Sequence, residues 1–374
     1  MLKQGRAGLL VAALLLPACA TLPEAVEPPR PGEVADPRPV EPAREAPLRI
    51  GVVVSSTGSA LLQQYADLVL DGVRLGAEQQ STTRRQVELV VRDDGGTAAG
   101  AATAVRELEA AGVRAIIGPL VDEAVAAAAR SRGSESTIII SPTATAMHAP
   151  GRNVYALNVV DTRGSAALGA YARRYGRVGV LYARTPETTS QARAFMDAYT
   201  QGGHGDARDA GFDPGATNVS AQLGRLRDGR VEAIFFPASE RHLQLVLPQI
   251  DYFGLASAQL MGNETWLSDA ARSVPAQLLE GAIIATPLWR ESPDLAWRDF
   301  VTLYETKHRR SLENPVPALG FDALVFAVRA LAGGGVAVQD FRGATGLLSV
   351  QEGGGVTRKP FLVRIRSGRL VPVN

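Results

Sequence analysis

The sequence has few of the residues that build metal and disulfide centres. Its 374 residues include one cysteine, Cys19, so no disulfide can form within the chain and no cluster of thiolates can bind a metal. The four histidines are far apart, and none has the spacing of a known metal motif. They are His148, His204, His242 and His308. We therefore expect neither a metal ion nor another cofactor.

The chain also lacks an excess of positive charge. Lys and Arg number 39 against 38 Asp and Glu, and a net charge of +1 gives no basic surface for nucleic acid. Hydrophobic residues make up 46% and charged residues 21%, which is typical of a folded protein. A single hydrophobic core stops growing beyond roughly 250–300 residues, so this length predicts two lobes.

Motifs of catalysis and of nucleotide binding are missing as well. The sequence contains no GxSxG, no GxxxxGK[ST] and no GxGxxG after a strand. Serines are abundant, but none lies in a recognisable context with a histidine and an acid. We therefore expect that the protein is not an enzyme.

The first residues have the layout of an export signal. Lys3 and Arg6 precede an apolar run over 7–16, which is too short to span a bilayer, and small residues follow before Cys19. The segment Leu16-Pro-Ala-Cys19 resembles a bacterial lipobox, in which the cysteine becomes the lipidated N-terminus. An ordinary cleaved signal is the alternative. Ala20 after the cysteine implies, by the sorting rule of such lipoproteins, the outer membrane.

A proline-rich segment separates this signal from the apolar part of the sequence. Eight of the 28 residues from Ala20 to Pro47 are proline, and apolar side chains are too sparse to form a core. At about 3.1 Å per residue, an extended chain of this kind reaches up to about 85 Å. We expect a disordered spacer that lets the folded part work at a distance from its membrane.

From Leu48 onward, apolar strands alternate with amphipathic helices. The segments 48–54, 87–92, 113–117 and 137–140 predict strands, with helices over 60–80 and 97–111 and a helix N-capped by Asp122 that runs to Arg130. A second set of alternating elements follows, with strands predicted at 177–182, 231–236 and 258–261 and helices at 188–200 and 240–253. Fully apolar strands in this order predict two α/β lobes, each a doubly wound parallel sheet.

The C-terminal part of the sequence does not continue this alternation of strands and helices. Segments 294–308 and 319–331 predict two helices with no strand between them, so they need not cover only the second sheet. Gly333-Gly-Gly335 indicates a hinge or turn, and 343–373 predicts short strands interrupted at Gly353-Gly-Gly355.

Several short segments, in order, resemble the type I periplasmic solute-binding proteins typified by the leucine/isoleucine/valine-binding proteins. They are Ile50–Val54 with Thr57-Gly58, Asp71-Gly72, Val91–Asp94, Val113–Pro119, Ile140–Thr145, Gly262–Glu264, Gly320–Ala323 and Gly343–Gly346. The resemblance implies a fold of two lobes joined by three crossovers, which we place near 157–160, 286–290 and 335–341. It implies domains of 1–18 (signal), 19–47 (lipidated cysteine and tether), 48–158 plus 289–336 (first lobe) and 159–288 plus 337–374 (second lobe).

The family binds a small solute, often an amino acid, between its lobes. By this resemblance Thr145, with Thr143 beside it, matches ligand-binding threonine positions, Glu264 matches the acid that pairs with an α-ammonium group, and Tyr65 matches a cleft aromatic. Asp122 stands where the family has a ligand serine. An aspartate repels a carboxylate, so this departure disfavours a plain amino acid and favours a cationic or hydroxyl-rich solute.

Each of these residues also has a structural interpretation. Thr145 can cap a loop, Asp122 can cap a helix and Glu264 can lie in a solvated turn. Tyr65 can belong to the core.

A second group with this fold is similar too, namely the C-terminal domain of outer-membrane lipoproteins that activate penicillin-binding proteins. The lipobox with Ala20, the long tether and the ending from Gly346 to Pro372 resemble that group, but its helical N-terminal domain is absent from this sequence. The first resemblance implies a small-molecule ligand and an ABC permease as partners, and the second a peptidoglycan synthase. Both imply a lipid-anchored protein on the periplasmic side of the cell envelope.

Overall fold

A computed structural model describes residues 45–82, 84–145, 151–159, 161–333 and 340–373. Cys19, the signal and nearly all of the tether lie outside the described residues, so the predictions on them remain predictions. Residues 44–374 form one compact unit. Within the described residues, no helix is both long enough and apolar enough to cross a membrane.

Strands and helices alternate along most of the chain. The strands are β1 (Leu48–Val54), β2 (Val87–Asp93), β3 (Ala115–Ile117), β4 (Ile138–Ser141), β5 (Val154–Ala156), β6 (Val178–Ala183), β7 (Arg208–Phe212), β8 (Ala233–Phe236), β9 (Gln259–Gly262), β10 (Ile283–Thr286), β11 (Phe341–Gly343), β12 (Gly346–Val350), β13 (Val356–Arg358), β14 (Phe361–Arg366) and β15 (Arg369–Pro372). The helices are α1 (Ala60–Gln80), α2 (Ala98–Ala110), α3 (Asp122–Ser131), α4 (Arg163–Ala172), α5 (Pro186–Thr200), α6 (Ser220–Asp228), α7 (Glu240–Tyr252), α8 (Ala276–Leu279), α9 (Leu295–His308) and α10 (Val316–Ala332).

The strands form two large sheets, one in each lobe. The first sheet is parallel throughout, in the order β2-β1-β3-β4-β5. The second has the order β15-β14-β10-β9-β8-β6-β7, with β6 to β10 parallel. The predicted α/β fold class is thus confirmed. β14 is antiparallel to β10 and β15 is antiparallel to β14, so they add a hairpin edge that the prediction of purely parallel lobes lacked.

Apolar strands explain why each sheet is covered on both faces. In β1, the side chains of Ile50 and Val52 join the core beneath α1 and α10, while Val53 joins the core on the opposite face. In the second lobe, β6 likewise sends Leu181 to one core and Val180 to the other. A strand buried on both faces has no room for polar side chains, so polar groups are confined to its ends.

The late helix α10 packs against α1 in the first lobe. The two backbones approach so closely that a Cβ atom on Gly72 would lie 1.7 Å from the carbonyl oxygen of Pro317. Gly320 faces the backbone of Val69 in the same way, at 2.4 Å. These contacts explain the glycine of the Asp71-Gly72 segment. They also show that the chain returns to the first lobe after β10 of the second lobe, before β14 and β15 complete the second sheet.

The small sheet β11-β12-β13 also lies with the first lobe. Its residues Phe341, Leu348 and Val356 belong to the first-lobe core, and the ring of Phe341 lies 5.7 Å from that of Phe326 in α10. An isolated bridge joins Ala156 to Gly355. The predicted second lobe, 159–288 plus 337–374, instead includes this segment. Because its apolar side chains pack on α10, we propose that the first lobe extends to Arg358 and that the third crossover lies between β13 and β14.

A buried polar network ties α10 to this small sheet. Asp322, fully buried, accepts hydrogen bonds from the backbone amides of Ala344 (2.6 Å) and Thr345 (3.0 Å) and from the Thr345 hydroxyl. Arg358 donates from Nε to the same hydroxyl oxygen at 2.7 Å and from Nη1 to the carbonyl of Leu157. Burial raises the pKa of Asp322, against the opposing charge of Arg358. Burial also lowers the pKa of Arg358 to about 10, so the guanidinium stays charged at neutral pH.

Removing the Asp322 carboxylate should destabilise the first lobe strongly. Asp322→Ala leaves the Arg358 charge uncompensated and three donors without an acceptor, and we expect a loss of about 3–5 kcal/mol of unfolding free energy. Denaturant unfolding of the full chain measures this loss. The control is Asp299→Ala on the exposed face of α9, which should stay within about 0.5 kcal/mol. Equal effects of the two variants would contradict the role of the network.

Candidate functional site

The first wall of the candidate site is the loop that follows β4. Thr143 and Thr145 lie just beyond the end of this strand, in the segment Ser141-Pro-Thr-Ala-Thr145. The hydroxyl of Thr143 donates to the carbonyl of Leu120 at 2.6 Å. Carboxyl ends of parallel strands are where ligands bind in open α/β sheets.

Asp122 holds this loop in place through its hydrogen bonds with Thr145. Its carboxylate accepts the backbone amide of Thr145 on Oδ1 at 2.9 Å and the Thr145 hydroxyl on Oδ2 at 3.1 Å. The prediction that Asp122 N-caps α3 is wrong, since Val121 is the N-cap residue and no side chain caps the helix there. Asp122 is instead the first residue of α3, where a negative charge is favoured by the helix dipole.

The second wall is built from the segment after β9. Asn263 donates from Nδ2 to the carbonyl of Ala238 (3.1 Å) and to Oε1 of Gln191 (3.2 Å), and so joins β9 to its neighbours. Trp266 packs directly against Gly262 and donates from Nε1 to the carbonyl of Phe236 at 3.0 Å. This rigid base holds Glu264 at the start of a short 3₁₀ turn, Glu264–Leu267.

Glu264 is an acid that has no partner of opposite charge in the part of the chain that the structure describes. Its side chain is exposed to the cleft, and no hydrogen bond or ion pair joins it to another described residue. Desolvation by the surrounding protein raises the pKa of the Glu264 carboxyl, and the negative charges of Glu187 and Asp161 raise it further. Such a carboxylate gains from a nearby cation.

A cavity of about 680 Å³ lies between these two walls. Four of the five predicted site residues line it, namely Tyr65, Thr143, Thr145 and Glu264. Tyr65 also packs against the first-lobe core, so its structural interpretation holds as well. Asp122 is not among the lining residues and acts on the cavity through Thr145. The volume suits a small organic solute.

Sequence reasoning missed several other residues of this cavity. Asp161 follows the first crossover, and its carboxylate lies 3.6 Å from Arg163. Ser268 lines the cavity with a buried hydroxyl that has no hydrogen-bond partner among the described residues. Arg358 reaches the cavity from the end of β13. Asp161 could have been predicted as a cleft residue, because it directly follows the predicted first crossover. Nothing in the sequence around Arg358 indicated that it lies at the cleft.

Groups suited to metal binding are not found in the described parts of the chain. No cluster of three or more His, Cys, Asp or Glu side chains there could hold a metal ion. The described lining of the cavity offers hydrogen-bonding groups, the carboxylate of Glu264 and apolar surface.

The family model for "Periplasmic binding protein" matches residues 47–352. The chain belongs to the periplasmic binding protein family. No protein with a curated functional description matches it. The match spans both walls of the cleft and ends within the small sheet β11-β12-β13 of this periplasmic binding protein.

Solved structures of this family show the same fold. A putative branched-chain amino acid ABC transporter protein from Rhodospirillum rubrum is 20% identical, with a TM-score of 0.74 over 87% of this chain and 100% of that one. An ABC transporter substrate-binding protein from Desulfitobacterium hafniense, in complex with Leu, is 19% identical with a TM-score of 0.65, over 88% and 100%. A branched-chain amino acid binding protein from Streptococcus pneumoniae, in complex with isoleucine, is 19% identical with a TM-score of 0.59, over 87% and 97%.

The raised pKa of Glu264 predicts how pH affects a cation in the cleft. The carboxylate form attracts a cation and the protonated form does not, so affinity should be full above this pKa and fall as pH drops through it. A bound cation favours the carboxylate form of Glu264, so binding at a pH close to the pKa of Glu264 should release protons. Calorimetric titration with cadaverine, in buffers of different ionisation enthalpy and at several pH values, measures both effects. A Glu264→Gln protein that keeps the same pH dependence would contradict this assignment.

Proposed function

We propose that this protein is an extracytoplasmic receptor that binds a small amine-bearing solute, an amino acid or a similar compound, between its two lobes. The observation that carries the proposal is the position of Glu264, an unpaired carboxylate facing Thr143 and Thr145 across a cavity of about 680 Å³. Family membership supports an extracytoplasmic location and a role in ABC-type uptake or sensing.

Binding would work by closure of the two lobes. A solute that contacts both walls stabilises the closed form, because the open form makes only half of these contacts. The ammonium group would pair with Glu264, and the threonine oxygens and Tyr65 would contact the rest of the solute. The hydrogen bonds of Asn263 keep Glu264 in place during this motion.

Loss of the Glu264 charge should weaken binding without unfolding the protein. For an amine found in a thermal-shift screen of amino acids and amines, we expect Glu264→Gln to lower affinity about tenfold to a hundredfold, or about 1.4–2.7 kcal/mol. The control is Glu280→Gln, an exposed acid next to β10 at the end away from the cleft. Calorimetric titration and ligand-free melting curves of both variants give the comparison. Unchanged affinity in Glu264→Gln would move the site elsewhere.

The same screen separates solute binding from the activator function. A protein that activates penicillin-binding proteins through protein contacts should have a blocked cleft, so the open cavity supports solute binding. A solute at 100 times its dissociation constant adds about 2.7 kcal/mol of stability. No stabilisation by any compound, together with capture of a peptidoglycan synthase by the purified protein, would favour the activator.

We also propose that the mature protein begins at a lipidated Cys19 and is held on the periplasmic side of the outer membrane. The support is the segment Leu16-Pro-Ala-Cys19 followed by Ala20. Mass spectrometry of the mature N-terminus should show a diacylated or triacylated cysteine, and membrane fractionation should place it in the outer membrane. A Cys19→Ser protein should lose both properties. An unmodified N-terminus cut at another residue would refute the anchor.

A further inference from the structure

The hydroxyl groups of the first wall direct their protons into the protein. Ser141 donates to the carbonyl of Pro119 at 2.6 Å, and Thr143 donates to the carbonyl of Leu120 at 2.6 Å. A carbonyl oxygen only accepts, so each of these hydroxyls is the donor. Thr143 can therefore offer only the lone pairs of its oxygen to a solute in the cavity.

Thr145 has both of its donors occupied by Asp122. A backbone amide at 2.9 Å and a hydroxyl at 3.1 Å, each on a different oxygen, form a two-point site for one carboxylate. Asp122 supplies that carboxylate from within the chain. A carboxylate on a solute would have to displace Asp122 or lie beside its negative charge.

The charged groups that line the cavity do not provide a second anchor for an anion. Asp161, Glu264 and Asp269 are all acidic. Arg358 is the one arginine or lysine among the described residues that line the cavity, and it is 5% exposed. Its Nε and Nη1 donate to Thr345 and Leu157, and its Nη2 is buried without a hydrogen-bond partner among the described residues. Among the described residues that line the cavity, no guanidinium nitrogen is therefore both free of a partner and exposed to a solute carboxylate.

We propose that Asp122 determines specificity by acting as a built-in carboxylate, so that the cleft selects amines that carry no carboxylate. The positively charged end of the solute pairs with Glu264, and its N–H groups donate to the lone pairs of Thr143 and Thr145. This inference rests on the proposed function, because it names the class of solute bound at the same site. Asp122 acts through Thr145 and is a positioning residue.

Matched pairs of compounds that differ only by a carboxylate test the proposal. Suitable pairs are lysine with cadaverine, arginine with agmatine, and leucine with 3-methylbutylamine. Calorimetric titration of the full-length protein should show at least one amine binding tenfold or more tightly than its parent amino acid. Equal or tighter binding of the amino acid in every pair that binds would overturn the proposal.

Two substitutions of Asp122 test the residue itself. Asp122→Ser frees both donors of Thr145, and Asp122→Asn removes the charge but keeps a similar shape. We expect each to reduce the preference for the amine by tenfold or more, chiefly because the amino acid binds more tightly. The control is Glu123→Gln, which changes the charge of the next residue, exposed in the same helical turn.

The outcomes separate this inference from the proposed function. If both Asp122 variants melt at a lower temperature but keep the wild-type preference for the amine, Asp122 has only a structural role and the inference fails. If amino acids bind to the wild-type protein and respond to Glu264→Gln, the proposed function stands and the inference fails. If no amine, amino acid or other solute binds to any of these proteins, both fail.

Discussion

Burial of parallel strands on both faces is the constraint on which the rest of this structure depends. Strands such as Ile50–Val54 and Ile138–Ile140 can carry only apolar side chains, so polar chemistry is limited to the residues just beyond their ends. Parallel order brings those ends together at one edge of each sheet. Thr143 and Thr145 from one sheet and Glu264 from the other meet across the cleft for this reason.

How much the sequence predicts follows from the same constraint. Apolar runs and their order were sufficient for the fold class, and the resemblance to solute-binding proteins indicated Thr143, Thr145 and Glu264, which line one cavity. The hydrogen bonds between Asp122 and Thr145 span 23 positions and depend on how two loops pack, which no local pattern records. The lobe to which the small sheet belongs could not be predicted from the sequence, because its apolar residues, Phe341 and Leu348 among them, could pack on either lobe.

The carboxylates of Asp322, in the core, and Glu264, at the cleft, differ in the charges and donors that surround them. Asp322 is surrounded by donors and compensated by Arg358, so it stabilises the first lobe and offers nothing to a solute. Glu264 is held in place by neutral neighbours and lies near other acids, so its charge is left uncompensated. This difference in compensating charge is the physical reason for assigning Asp322 to the core and Glu264 to the proposed binding site. If burial were the only criterion for a functional carboxylate, Asp322 would have been selected instead of Glu264.

The return of α10 to α1 has a consequence for how the protein is made. One side of the first-lobe core is built by α1 together with α10, which runs from Val316 to Ala332, whereas the sheet that they cover is complete by Ala156. A nascent chain that has emerged as far as the second lobe therefore holds a first sheet whose apolar face is covered by α1 but not yet by α10. Such a surface is prone to aggregation until the remaining residues arrive. The first lobe cannot be completed before α10 is made, and a truncated product that ends before Val316 lacks the helix that closes it.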